Sequence, residues 1–374
     1  MWHDLRTHLE LVWGALLAFL IVIVLAPAIG GVARYLRLVD RPHEGGRARP
    51  GIPRLGGIAL FLGIFVPAVA FLPLGGEMRG ILLGAAVATT VGAIDDFRGL
   101  AWWQKLAGQV AAASIPTLYG TWVHRFTFPV LGVHELPSVV GVPLTVLGIV
   151  AVMNMVNFLD GLDGLAAGVC AISAGSFCLI NISLDRWAAA ILTAIVFGAC
   201  VGFLRHNFYP ARIFMGDSGA LLLGFTLAAV SVQGLLKTAA LATLVLPLLV
   251  LAVPVLDTSF VIAKRLRSGE PIYTADARHL HHRFVRLGFS QRRAVVYLYA
   301  WCGTLALAAL ATRFAPPHPR GRWDASNLAV DAAVGVLAVA ASAYIVYVLE
   351  IVKLANPFIR RREERARTAT RKSA

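Results

Sequence analysis

The sequence predicts an all-α, polytopic integral membrane protein of about eleven transmembrane helices, and three observations carry that prediction. The 374 residues are 58% hydrophobic and only 14% charged, where a soluble domain carries about 25% charged residues. Apolar runs of about 20 residues, the length that crosses the hydrocarbon core of a bilayer, recur along the whole chain. The alternating segments of about 10 residues that would mark a β-barrel are not found.

Windows of that length place the spans at 11–33, 55–74, 80–95, 105–122, 139–157, 164–183, 188–204, 218–235, 240–262, 294–313 and 328–352. The first run, "LVWGALLAFLIVIVLAPAIG", contains an "APA" that mimics a signal cleavage site, but its positive flank (Arg34, Arg37 and Arg41) follows it. A secretory signal has its positive charge in front, so the run reads as an uncleaved first span with the N-terminus outside. The odd-numbered connections and the C-terminal stretch hold roughly 26 of the 34 basic residues, which makes that side, and the C-terminus, cytoplasmic. The net charge of +14 is then topology plus attraction to anionic lipid headgroups rather than a nucleic-acid footprint. The expected organisation is one transmembrane domain over 1–352, with a basic tail over 353–374 that lacks apolar periodicity and is expected to be disordered. Cys170, Cys178, Cys200 and Cys302 all fall in predicted spans without a C-x-x-C pair and read as small packing residues.

The unusual polar clusters fall on connections assigned to the cytoplasmic side. "GAIDDFRGL" puts Asp95 and Asp96 at the inner end of span three, and "NMVNFLDGLDG" puts Asn154, Asn157, Asp160 and Asp163 at the junction of spans five and six. "RHNFYPARIFMGDSGA" carries Asn207, Phe214 and Asp217 between spans seven and eight, and "DARHLHHRF" carries His279, His281 and His282 between spans nine and ten. Adjacent acids at a span end can simply cap a helix, but polar groups at membrane depth are costly and usually functional. In "NMVNFLDGLDG", polar residues three apart are neighbours on a helix, and Gly161 and Gly164 offer a break that gathers them toward one cavity.

Several carboxylates with few basic partners suit a hard divalent cation. Mg²⁺, or Mn²⁺ in its place, is held by one or two carboxylates plus substrate phosphates. "HLHH" lacks the i, i+4 spacing of a helical zinc site; beside Arg278, Arg283 and Arg286 its imidazoles better suit phosphate oxygens or proton donation to a leaving phosphate.

The motifs "PRLGGIAL", "GAIDDFRGL", "NMVNFLDGLDGLAAG", "NFYPARIFMGDSGALLLGF", "PVLDTSFVIAKR" and "DARHLHHRFVRLGFS" occur in the order found in polyprenyl-phosphate N-acetylhexosamine-1-phosphate transferases, which the chain resembles over roughly residues 34–300. "PRLGG" and "DARHLHH" look like the branch that uses UDP-N-acetylglucosamine. The muramoyl-pentapeptide branch has a Pro-Thr-Met-Gly-Gly type stretch instead. Relatives usually read Asp-x-Pro-x-x-Arg-Lys-x-His in the first cytoplasmic loop; here Gly45, Gly46 and Ala48 stand where Arg, Lys and His are expected.

The resemblance implies a bacterial inner-membrane enzyme that passes a sugar-1-phosphate from UDP-N-acetylhexosamine to polyprenyl phosphate, with membrane lipids as the other partner. It implies Asp217 as first Mg²⁺ ligand, with Asp95 and Asp96 beside it as further ligands and as base or orienter of the lipid phosphate. Asn154, Asn157, Asp160, Asp163 and Asn207 would line the nucleotide-sugar pocket and Phe214 would stack on uracil. Arg265, His281 and His282 would hold the diphosphate or sugar, and His279 would act in catalysis. The sequence leaves open the sugar, the isoprenoid length and the oligomeric state, a homodimer included. It also leaves open an ion-coupled transporter, which would want acids near the midplane and paired half-chain symmetry. A CDP-alcohol phosphotransferase is disfavoured because "DGLAAG" has Gly168 where that family's Asp-Gly-x-x-Ala-Arg pattern needs Arg.

Overall fold

A computed structural model describes residues 2–40, 51–128, 132–235, 289–316 and 324–348, with isolated positions between 251 and 287. Its helices in chain order are α1 (Trp2–Tyr35), α2 (Gly56–Phe71), α3 (Gly76–Arg98), α4 (Trp102–Leu118), α5 (Ser138–Leu159), α6 (Leu165–Ser183), α7 (Trp187–Asn207), α8 (Gly216–Val230), α9 (Gln291–Phe314) and α10 (Ala325–Val348). A π-helical turn, Ser231–Leu235, continues α8. Two short antiparallel ladders, unforeseen in the sequence, join β1 (Val39–Asp40) to β2 (Ile52–Pro53) and β3 (Arg125–Phe128) to β4 (Gly132–Glu135).

The protein is a mostly helical, multi-pass membrane chain. Among the described residues, seven helices are long and apolar enough to cross a bilayer: α1, α3, α5, α6, α7, α9 and α10. The difference from eleven has a physical origin. α2 and α4 have 16 and 17 residues, about 24–26 Å at 1.5 Å per residue, short of a core about 30 Å thick, and α8 has 15 before its π-helical continuation to Leu235, where the described residues stop. The ninth expected span, 240–262, lies mostly outside the described residues, as does the tail.

α8 organises the bundle. Every residue from Ser218 to Val230 is buried, which is how an apolar helix with no polar stripe must sit. It packs against α2, α3 and α5, while α1 lies along α7 and α2, and α6 packs on α7. Most of this forms one apolar core, including Phe177, Phe203 and Phe225. A second core joins α9 and α10 to the α5–α6 junction through Leu159, Leu165, Phe284, Leu298 and Trp301. All four cysteines are free and buried, with Cys170, Cys200 and Cys302 inside these cores.

The alternation of helix direction fixes the site's location. α3 ends, α4 begins, α5 ends, α6 begins, α7 ends and α8 begins at one end of the bundle. Three connections meet there: 99–101, 160–164 and 208–215.

Candidate active site

The 208–215 connection is stitched to the start of α2 by backbone bonds. Phe214 N–H donates to the Pro53 carbonyl at 2.8 Å, while Gly56 and Gly57 N–H donate to the carbonyls of Phe214 and Met215 at 2.9 and 2.8 Å. The start of α2 and the start of α8 therefore share one backbone seam. The α5–α6 connection turns at Gly164, whose φ of +81° suits a residue without a Cβ. The Gly164 N–H donates to Asn207 Oδ1 at 3.1 Å, the Ala211 N–H donates to Asp163 Oδ2 at 2.9 Å, and Asn207 Nδ2 donates to the Ile213 carbonyl at 3.0 Å.

From α9, the Tyr299 hydroxyl donates to the Gly164 carbonyl, and a Cβ on Gly168 would strike the Tyr299 ring. Arg292 donates through Nε and Nη2 to the Tyr209 carbonyl at 3.2 and 3.1 Å. Two side chains of α9 thus clamp the two loops that carry Asp160, Asp163 and Asn207.

Within this frame lies a pocket of about 460 Å³ lined by six aspartates (Asp40, Asp95, Asp96, Asp160, Asp163 and Asp217), with Arg54, Asn157, Asn207 and Phe214 among its other walls. Behind two of these walls the Lys105 ammonium, from the first turn of α4, lies 2.9 Å from Asp95 Oδ2 and 2.5 Å from Asp217 Oδ2. It also donates to Asn157 Oδ1 at 3.3 Å, and Asn157 Nδ2 donates to Asp217 Oδ1 at 2.6 Å. Asp95 Oδ1 accepts the Leu100 N–H at 2.6 Å.

Asp96 does something different from its neighbour. Its Oδ1 accepts the Asp217 N–H at 2.8 Å, and its Oδ2 accepts the N–H and hydroxyl of Ser218 at 3.0 and 2.8 Å. It caps the first turn of α8 from another helix, supplying the acceptor that those N–H groups otherwise lack. Gly216, at φ +71°, permits this: a Cβ there would stand 2.6 Å from Asp96 Oδ2.

Charge density leaves a mark on the loop acid. Burial first, then the negative charges of Asp217, Asp96 and Asp163, push the Asp160 carboxyl up to about 7. Across the pocket Arg54 pairs with Asp40 at 2.6 Å, and that bond holds the guanidinium above its usual value.

Of the sequence-predicted residues, Asp95, Asp96, Asn157, Asp160, Asp163, Asn207, Phe214 and Asp217 come together on this one pocket. Asn154 does not line it. Its amide pairs reciprocally with Gln109 of α4, at 2.8 and 3.2 Å, and bonds the Val150 carbonyl; it ties α5 to α4. Arg265 is buried and is not among the lining residues. His279, His281 and His282 lie outside the described residues.

The few basic partners expected are Arg54, on the pocket wall, and Lys105, against Asp95 and Asp217. Lys105 was missed, though the signal was there, since it is the one charged residue in α4 and an ionisable group inside an apolar run marks function by default.

The donors fit a hard cation, being carboxylate and amide oxygens with no thiol or described imidazole. Among the described residues no three acidic, His or Cys side chains stand close enough to hold a metal by themselves. An ion held here would need further ligands, as from substrate phosphates, and Asp217, Asp95 and Asp160 are among the carboxylates that could contribute.

Comparison with known proteins bears on the same segments. Residues 78–235 match the profile described as glycosyl transferase family 4. A decaprenyl-phosphate N-acetylglucosaminephosphotransferase of Mycobacterium leprae is 33% identical over 342 residues, 83% of this chain and 86% of that one. A probable undecaprenyl-phosphate N-acetylglucosaminyl 1-phosphate transferase of Bacillus subtilis is 32% identical over 292 residues, covering 78% and 82%. A phospho-N-acetylmuramoyl-pentapeptide-transferase of Desulforudis audaxviator is 35% identical over 329 residues, covering 78% and 94%.

Proposed function

Because the chain belongs to glycosyl transferase family 4, we propose that it transfers N-acetylglucosamine-1-phosphate from a UDP-sugar to polyprenyl phosphate, yielding polyprenyl-diphosphate-sugar and UMP. The observation that carries this reading is the Asp95–Lys105–Asp217–Asn157 knot on a pocket built from three loops at one end of the bundle. Such a place reaches a soluble, highly charged donor and a headgroup-level phosphate at once. The glucosamine reading is supported further by Arg54. It lines the pocket within "PRLGG", where the muramoyl-pentapeptide branch, by the resemblance, has Thr.

In the reaction the acceptor's phosphate oxygen bonds to the β-phosphorus of the UDP-sugar. The bond from that phosphorus to the oxygen shared with the α-phosphorus breaks, and UMP leaves with the electron pair. Exchange of one phosphoanhydride for another needs positioning and charge neutralisation more than covalent help. The acceptor phosphate, with a second pKa near about 6, is largely dianionic at neutral pH, so Asp95 orients the nucleophile rather than deprotonating it. Lys105 holds Asp95 and Asp217 at fixed separation and offers its charge to phosphate oxygens. Asn157 fixes the rotamer of Asp217, and Asp96 fixes the backbone that carries it. Mg²⁺, when bound to Asp217 and its neighbours, would supply charge neutralisation of the diphosphate.

The pocket end also carries Arg34, Arg37, Arg54, Arg98, Arg205 and Arg212, which supports a cytoplasmic placement of the site. A transporter is disfavoured because the acids gather at one end rather than at mid-depth. The test is UMP release by the purified protein in detergent. Turnover should need UDP-N-acetylglucosamine, polyprenyl phosphate and Mg²⁺ together, and Asp217→Asn should lower it by more than about a thousandfold. Turnover of Asp217→Asn within about tenfold of the parent would remove that residue from the site, and flux across sealed vesicles without UMP release would favour transport.

A further inference from the structure

At the opposite end of the bundle lies a second pocket, of about 530 Å³, that the transfer chemistry does not use. It is formed by the α4–α5 connection and the turn between α6 and α7, and is lined by Trp122, His124, Arg125, Glu135, Leu136 and Arg186. Its wall is fixed to the bundle. Val123 N–H donates to Thr145 Oγ1 of α5 at 2.9 Å, and Leu136 N–H donates to the His124 carbonyl at 2.8 Å. The Trp122 and His124 rings lie 3.6 Å apart between centroids. Arg125 faces Glu135 across the β3–β4 ladder, at 3.1 Å. Arg186 opens α7. Its guanidinium has no hydrogen bond or ion pair among the described residues, so the pocket keeps one positive charge in excess.

Two features set the depth. Tyr119, Trp122 and Trp187 gather at this end, the pattern of an aromatic belt at headgroup level. Leu118 at the end of α4 and Val139 and Val140 at the start of α5 are exposed, the first two at 82%. The start of α5 backs onto the pocket, since a Cβ on Gly141 would stand 2.6 Å from the Trp122 ring.

We propose that this pocket binds the phosphate of an anionic phospholipid, with Arg186 and Arg125 on the headgroup and the acyl chains along the exposed apolar residues of α4 and α5. A free anion would use the guanidinium groups but gain nothing from Leu118, Val139 and Val140, whereas a zwitterionic lipid would gain the apolar contact without the net charge. Arg presents a planar fork to phosphate oxygens, and each basic group near a lipid surface contributes about a fivefold preference for anionic lipid. The inference stands apart from the transfer reaction.

The test measures lipid retention by native mass spectrometry on protein purified in detergent and mixed with phosphatidylglycerol or phosphatidylcholine. The parent should prefer phosphatidylglycerol. Arg186→Gln should lose about fivefold of that preference, with UMP release in detergent unchanged. Glu135→Gln, at an exposed strand position that tolerates change, removes the competing carboxylate and should strengthen retention by about threefold. It keeps the proposal testable should Arg186→Gln fold poorly. Equal preference in the parent and Arg186→Gln, or no gain in Glu135→Gln, overturns the site. Displacement of phosphatidylglycerol by millimolar inorganic phosphate would make the natural occupant a soluble anion and overturn the lipid assignment.

Discussion

Replacing Lys105 by Met keeps the length and apolar stem of the side chain and removes its charge. The ammonium lies 2.5 Å from Asp217 and 2.9 Å from Asp95, and the three side chains are 19%, 30% and 11% exposed, so solvent screens the contacts only in part. A hydrogen bond to a charged group contributes about 1.5–3 kcal/mol, and two are lost, about 3–6 kcal/mol in all. Removal also leaves two carboxylates facing each other across the gap, the costlier half of breaking a buried pair. Water entering the gap returns part of this. About 3–4 kcal/mol of lost positioning remains, a fall of about 100- to 1000-fold in turnover. The assay is UMP release at saturating substrates and Mg²⁺, with a melting curve to show that the variant is folded. Lys105→Arg should recover part of the activity, since it restores the charge in a different shape. Turnover of Lys105→Met within about threefold of the parent would refute the reasoning. So would full recovery at high Mg²⁺, which would mean that the ammonium only occupies a cation's seat.

Three further outcomes follow from the same geometry. Asp96→Asn keeps one acceptor but turns an amide donor toward the Ser218 N–H; it should cost about 1–2 kcal/mol, lowering turnover about 5- to 30-fold together with the melting temperature. A raised Mg²⁺ requirement with unchanged melting would make Asp96 a metal ligand instead. Asp160, with its carboxyl near 7, holds a proton below that pH and is anionic above it. As pH rises toward about 7 the Mg²⁺ concentration for half-activation should therefore fall by up to about tenfold per pH unit and then level off, and Asp160→Asn should flatten the profile; an unaltered profile counts against its place at the cation. Gly168→Ala places a methyl against the Tyr299 ring and should destabilise by about 1–3 kcal/mol, read as a lower melting temperature. A parent-like melting curve would mean a looser α6–α9 seam.

Much of the fold was legible because hydropathy reads length and helices need length. The expected span 139–157 is α5, Ser138–Leu159, and 164–183 is α6, Leu165–Ser183. The break at Gly161 and Gly164 was legible for a local reason, since a glycine beside an acid at the end of an apolar run marks a turn. The span count was less legible. A hydropathy window scores α8 by its residues alone, and a short helix buried on all sides by other helices looks the same to it as one buried in lipid. The β3–β4 hairpin was hidden because its strands are four residues each, too short for a period of two to stand out.

The site divides along the same line. Carboxylates in a greasy chain announce themselves, and Asp95, Asp160, Asp163 and Asp217 do reach one pocket. What a single sequence cannot separate is a side chain that faces substrate from one that holds such a side chain in place, because both are polar and both sit at membrane depth. Asp95 and Asp96 are adjacent and chemically identical, yet one meets Lys105 and the other spends its oxygens on the backbone of Asp217 and Ser218. Consecutive residues on a helix point about 100° apart, so only one of the pair can look into the loop-lined pocket's ion cluster while the other meets the neighbouring helix. Asn154 and Asn157 differ likewise: Asn157 reaches Asp217, whereas Asn154, one turn deeper, meets Gln109. A polar pair at depth is best satisfied by another polar group of the bundle, and near the loops by the site itself. Depth along the helix, more than residue type, therefore assigns the role, and it becomes readable once the register of α3, α4, α5 and α8 is known.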